Sequence, residues 1–167
     1  KRGITDVLLL EQGKLTGGTT WHAAGLVSQL KPTHSLTKLA TYSNRLFQEL
    51  EAETGQATGY RAPGSISVAS DAERWEEMRR GISMASTVGV EIREIEMDEL
   101  TDKVPLLRTD DLVGALYIPN DGQTSPVDTT MSLIKGARQG GATVIEGVSV
   151  QRLLQDGDRC TGIATED

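Results

Sequence analysis

The stretch that most constrains this chain runs from Val7 to Gly25, VLLLEQGKLTGGTTWHAAG. Four apolar residues, Val7 to Leu10, read as a short buried strand that ends at an acid, Glu11, before a loop rich in glycine and threonine. In doubly wound folds the ligand lies beyond the carboxyl ends of the strands, so an acid placed there accepts hydrogen bonds from a ribose diol. Glu11 is therefore the candidate ribose ligand, and a solvated strand-end carboxylate is the plain alternative. Gly17-Gly18-Thr19-Thr20 offers backbone amides with no Cβ in the way and two hydroxyls, which suits close approach to a phosphate or a flat ring. Trp21-His22 closes the loop. Behind it Ala23-Ala24-Gly25 surrounds His22 with small residues, against which a bulky planar group can be pressed. A lone histidine is more often a satisfied polar residue, and only the surrounding loop argues for more.

Composition removes several classes of function. The chain has 167 residues, 37% hydrophobic and 4% aromatic, enough for a folded core. A formal net charge of −7 repels nucleic acid and anionic membrane, so neither partner is expected. The single cysteine, Cys160, excludes an internal disulfide and any multi-cysteine metal site, and it reads as a strand residue. No metal ligand set is predicted. No apolar run approaches the roughly 18 residues of a membrane span. The chain opens on Lys1-Arg2-Gly3 without an initiator methionine. A GxGxxG turn belongs about 20 residues before a ribose acid, and Glu11 leaves no room for it. The expectation is a piece of a longer product, whose first strand and pyrophosphate helix lie upstream.

Taken in order, Ser35 to Thr54 is predicted as an amphipathic helix packed through Leu36, Leu39, Ala40, Leu46, Phe47 and Leu50 and stopped at Gly55. From Tyr60 to Ala69, Ile66 and Val68 alternate with serines, which reads as a half-exposed strand. Ser70-Asp71-Ala72-Glu73 has the form of a capping box with Ser70 as cap, opening a helix to Val88 whose stripe is Trp75, Met78, Ile82 and Ala85, and Gly89 suits the turn that ends it. Val90 to Ile95 is a strand, Asp98 to Lys103 a brief helix and Leu112 to Ile118 another strand. Pro119-Asn120-Asp121-Gly122 is a turn, with Gly122 at positive φ, and Asp121 is read in a turn role before that of a ligand. Ser125 and Pro126 start a helix ending at Gly140-Gly141. Ala142 to Ile145 is a strand, and Ser149 to Leu154 with Cys160 to Thr165 form an antiparallel excursion about Asp156-Gly157-Asp158.

The run LLLEQGKLTGGTTWHAAGLVSQL resembles the corresponding segment of the sarcosine and dimethylglycine dehydrogenases, within the glycine-oxidase-like or D-amino-acid-oxidase-like FAD family. GQATGYRAPGSISVAS (55–70), GALYIPNDGQTSP (114–126) and GGATVIEGVSV (140–150) follow in the same order as in those enzymes, so the resemblance covers nearly the whole chain. It implies an α/β fold: a fragment of a Rossmann-like FAD-binding domain with part of an inserted antiparallel-sheet substrate domain. The first part would span residues 1–57, the substrate domain 58–124, and the return to the FAD-binding domain 125–167. The resemblance further implies that Glu11 binds the adenosine ribose and that His22 carries FAD covalently. Gly17, Gly18, Thr19, Thr20, Ala24 and Gly25 would complete the cofactor site, and Val150 would meet the adenine through its backbone. Val150 rests on the resemblance alone.

The implied activity is oxidation of the N-methyl group of a small amino acid, sarcosine or dimethylglycine, with electrons passed on to an electron-transfer flavoprotein or oxygen. Tetrahydrofolate is implied as one-carbon acceptor in members that carry a folate-binding domain. The compartment would be the cytoplasm in a bacterium or the mitochondrial matrix in a eukaryote. No catalytic acid or base is assigned. Three other readings stay open: a regulatory relative of the same fold, against which Trp21-His22 argues; another FAD-dependent amino-acid oxidase; and a nicotinamide-binding domain, against which the alternating strands between Tyr60 and Ile118 argue.

Overall fold

The computed structural model describes residues 3, 4 and 6–166, and the predicted features at Lys1, Arg2 and Asp167 lie outside them. The described chain is mixed α/β. In order it forms β1 (Leu8–Glu11), a 3-10 turn (Thr20–His22), β2 (Leu26–Val27), α1 (His34–Thr54), β3 (Ser65–Ala69), α2 (Ala72–Thr87), β4 (Arg93–Ile95) and α3 (Met97–Lys103). Then come β5 (Gly114–Ile118), β6 (Gly122–Gln123), α4 (Pro126–Gln139), β7 (Thr143–Glu146), β8 (Val150–Asp156) and β9 (Arg159–Thr165). These elements divide into two compact units, one made of Lys1–Gly25, Glu49–Gly59 and Ser125–Asp167, the other of Leu26–Gln48 and Tyr60–Thr124.

In the first unit β1 and β7 run parallel, with Leu8 opposite Thr143 and Glu11 opposite Glu146. Leading into β7, α4 begins at Ser125, whose hydroxyl accepts the Asp128 amide, and at Pro126, which sits where a helix needs no N–H. The last turn of α1 leaves carbonyls without amide partners. Side chains of α4 supply them: Gln139 Nε2 donates to the Thr54 carbonyl at 3.2 Å and Lys135 Nζ to the Gly55 carbonyl at 2.9 Å. The Thr54 and Ser132 hydroxyls meet at 2.8 Å. Gly136 permits this approach, because a Cβ there would lie 3.1 Å from Thr54 Cγ2.

Two expectations in this unit are corrected. The strand at Val7–Leu10 is not buried: Leu8 is 56% exposed, and among the described residues β7 is the one hydrogen-bonded neighbour of β1. The β8–β9 turn is Gly157-Asp158 alone, since Asp156 already pairs with Arg159, and Gly157 takes φ +57°. Cys160 is an exposed residue of β9.

The second unit is built on the antiparallel sheet β3-β5-β4. On one face α2 covers Ala69, Leu116 and Ile118 with Met78, Ala85, Trp75 and Ile82. On the other, Leu100 of α3 packs with Ile95, Ala115 and Ile66. Covering both faces makes β5 almost continuously buried, while β3 is half exposed, as its alternation with serines suggests. Gly114 belongs to this packing: a Cβ there would overlap the Trp75 indole.

The helix caps and faces also differ in detail. Asp71, one residue beyond the predicted Ser70, caps α2 by accepting the Arg74 amide at 2.7 Å. Gly89 follows the end of α2 at φ +73°, as its position predicts. Leu36 and Leu39 of α1, predicted as core, are 50% and 61% exposed, while Thr37 and Asn44 are buried. Hydrogen bonds decide that face. The Thr37 hydroxyl accepts the Lys31 amide and donates to the Lys31 carbonyl, both at 3.1 Å, and Asn44 Nδ2 donates to the Asn120 carbonyl at 3.0 Å.

Candidate functional site

All nine residues singled out in the sequence fall in the first unit. Glu11 is the last residue of β1, and its Oε1 accepts the Gly13 amide at 2.8 Å. That bond orients the carboxylate and leaves its second oxygen for a ligand. The loop then folds on itself through the Gly17 amide, which donates to the Lys14 carbonyl at 2.9 Å. A Cβ on Gly17 would stand 3.0 Å from that carbonyl oxygen, so this glycine serves the turn. Gly18 is different. A Cβ built there meets nothing within 4 Å, which leaves open space over its backbone.

Thr19 precedes the 3-10 turn without a side-chain capping bond, so its hydroxyl is not consumed by the helix end. Within the turn the His22 amide donates to the Thr19 carbonyl and the Ala23 amide to the Thr20 carbonyl. Trp21 and His22 stack with ring centroids 3.7 Å apart at an interplanar angle of 32°, and both are exposed. Ala24 is exposed as well, and Gly25 takes φ +73°, a conformation that only glycine adopts without strain. Val150 opens β8 opposite Thr165. Two residues earlier, the Val148 amide donates to the Glu11 carbonyl at 3.0 Å, so the approach to Val150 is tied to the end of β1.

One residue of this region goes unnoticed in sequence. Glu146 ends β7 as Glu11 ends β1, directly opposite it, and its Oε1 accepts the Leu15 amide at 2.8 Å. The signal is present: TVIE repeats the apolar-run-then-acid form of LLLE, and the predicted strand stops one residue short of it.

In the second unit Asp121 closes its turn, its amide donating to the Ile118 carbonyl at 3.3 Å, and is also a buried acid. Asp121 is 2% exposed; its Oδ1 accepts the Gln29 amide at 2.8 Å and its Oδ2 the Ser65 hydroxyl at 2.6 Å. Gly122 does not take the expected positive φ; it is small because a Cβ would meet the Tyr60 hydroxyl at 2.6 Å. Nearby, Arg93 and Lys103 flank Glu99 and lie over the Tyr117 ring, at 5.3 and 4.5 Å from its centroid. The hydrogen bond from Arg93 holds the Glu99 carboxyl below the ordinary glutamate range. Among the described residues no cluster of His, Cys, Asp and Glu could hold a metal, and no helix is long and apolar enough to cross a membrane.

The fold is that of amino-acid dehydrogenases and oxidases of known structure. L-proline dehydrogenase from P. horikoshii superposes with a TM-score of 0.90 at 22% identity, over 96% of this chain and 42% of that one. In sequence the family model described as FAD dependent oxidoreductase (DAO) matches residues 1–167, and the chain belongs to that family. Mitochondrial sarcosine dehydrogenase of Homo sapiens is 40% identical over 151 residues, 90% of this chain and 16% of that protein. The mitochondrial pyruvate dehydrogenase phosphatase regulatory subunit of Mus musculus is 37% identical over 166 residues, 99% of this chain and 19% of that protein. The chain thus spans about a fifth or less of the length of these curated relatives.

Proposed function

We propose that this chain supplies the adenosine-side loop and the flavin anchor of an FAD-dependent oxidoreductase that oxidises the N-methyl group of a small amino acid, sarcosine or dimethylglycine. The observation that carries the reading is one loop bearing a carboxylate with an oxygen to spare at one end and an exposed imidazole at the other. The residues fit such a group. Glu11 would accept from the ribose diol, the open backbone at Gly18 and the uncommitted Thr19 hydroxyl would meet polar atoms of the cofactor, and His22 would form the covalent bond. Thr20, Ala24 and Gly25 would line the same loop, and Val150 would offer its backbone to adenine. FAD bound there supplies the two-electron acceptor for carbon–nitrogen oxidation, and the one-carbon unit leaves as formaldehyde or passes to tetrahydrofolate. Residues 58–124 would form part of the substrate domain, and an electron-transfer flavoprotein or oxygen would take the electrons.

The test is acid precipitation of the full-length protein, followed by washing and a reading of polypeptide-bound flavin fluorescence. Fluorescence that stays with the wild type and is lost from His22→Ala is the expected result. Flavin that washes out of the wild type removes the covalent bond from the reading; absence of flavin from the purified protein removes the function. A second reading, a regulatory paralogue that keeps the fold without turnover, is favoured by the likeness to the phosphatase regulatory subunit over 99% of the chain.

A further inference from the structure

The start of the loop after β1 is bonded to one short stretch, Glu146 to Val148, at three points. The Glu146 carboxylate accepts the Leu15 amide at 2.8 Å, the Gly147 amide donates to the Gly13 carbonyl at 3.1 Å, and the Val148 amide donates to the Glu11 carbonyl at 3.0 Å. Gly13 in turn donates its amide to Glu11 Oε1. The orientation of the Glu11 carboxylate is therefore set by Gly13, and Gly13 and Leu15 are set by Glu146 and Gly147. Glu146 is half-buried and stands opposite Glu11 in the parallel register. Two like charges side by side are unfavourable unless each has donors. Here each has a backbone amide.

We infer that Glu146 is a positioning residue for the adenosine half of the flavin: through the Leu15 amide it holds the loop that aims Glu11. This rests on the FAD reading above. Removing the carboxylate leaves the Leu15 amide without its acceptor and loosens the segment around Leu15, while the bonds from Gly147 to Gly13 and from Val148 to Glu11 remain; binding must then order that segment again. Leu15 lies four residues after the ribose acid and seven before His22, so the loss falls on the adenosine half. What Glu146 supplies is an acceptor atom at the right reach, not a charge.

The experiment is a flavin-fluorescence titration of the full-length apoprotein, every variant carrying His22→Ala so that binding stays reversible. FAD is compared with FMN, which lacks the adenosine. Glu146→Ala is expected to weaken FAD about tenfold and leave FMN within about twofold, while Glu146→Gln, which keeps an acceptor oxygen, binds FAD within about threefold of the parent. Equal FAD affinity for Glu146→Ala and the parent overturns the inference, and so does a parallel loss of FAD and FMN, which is what general destabilisation produces. If Glu146→Ala does not fold, Glu146→Asp against Glu146→Gln carries the same test, because Asp keeps the charge but falls short in reach. Gln binding FAD tighter than Asp supports the inference; the reverse order overturns it. A parent protein that binds FMN and FAD not at all, with Glu146 intact, overturns the FAD reading itself and this inference with it.

Discussion

Asp121 ties two segments distant in sequence, since Gln29 and Ser65 both donate to its buried carboxylate. Replacement by alanine leaves a buried amide and a half-buried hydroxyl without their acceptor, and each orphaned group carries a desolvation penalty larger than the net worth of a hydrogen bond. Asp121→Ala is therefore expected to lower unfolding free energy by about 2–4 kcal/mol, read as a shift in denaturant midpoint with unchanged slope. Asp121→Asn, which retains one acceptor oxygen, should recover part of the loss. Equal stability of the alanine variant and the parent would show that the three segments hold together without the acid. At this same scale the glycines divide by purpose: Gly17 and Gly122 are small because neighbours crowd them, whereas Gly18 opens onto empty space.

Among the elements, α2 shows how narrowly a cap is specified. Ser70 and Asp71 are both capping residue types, and the difference between them is one residue of register. Asp71 holds the extended conformation of a cap, φ −143° and ψ 161°, and its carboxylate also meets the positive end of the helix dipole. Asp71→Ala should cost about 1 kcal/mol while Ser70→Ala stays within about 0.5 kcal/mol, and thermal melts of the two variants separate them. The opposite ranking would move the cap to Ser70. On α1, the buried face of the early turns is chosen by polar bonds from Thr37 and Asn44 instead of by Leu36 and Leu39, while Leu50 is buried as its position predicts.

For the whole molecule, membership of the FAD dependent oxidoreductase family coexists with likeness to a dehydrogenase and to a regulatory subunit. The enzyme reading and the regulatory reading predict different turnover. Under anaerobic conditions, sarcosine or dimethylglycine added to the flavin-loaded full-length protein should bleach the flavin band, because reduction removes that absorbance. A band that persists with both amines favours the regulatory reading. The net charge of −7 points in neither direction, since it bears on association and not on chemistry.

Local chemistry in the sequence by itself determined the start of α4 at Ser125-Pro126, the left-handed glycine after α2 and the acid that ends the first strand, because each depends on residues a few positions apart. Tertiary structure alone decided which face of α1 is buried, that both faces of β5 are covered, and that Glu146 stands beside Glu11 with its carboxylate on the Leu15 amide. The physical reason is separation along the chain. Glu146 lies 131 residues from Leu15 and Asp121 lies 92 from Gln29, and pairings at such distances follow from how β1 and β7 align and how the sheet is packed, not from any local pattern.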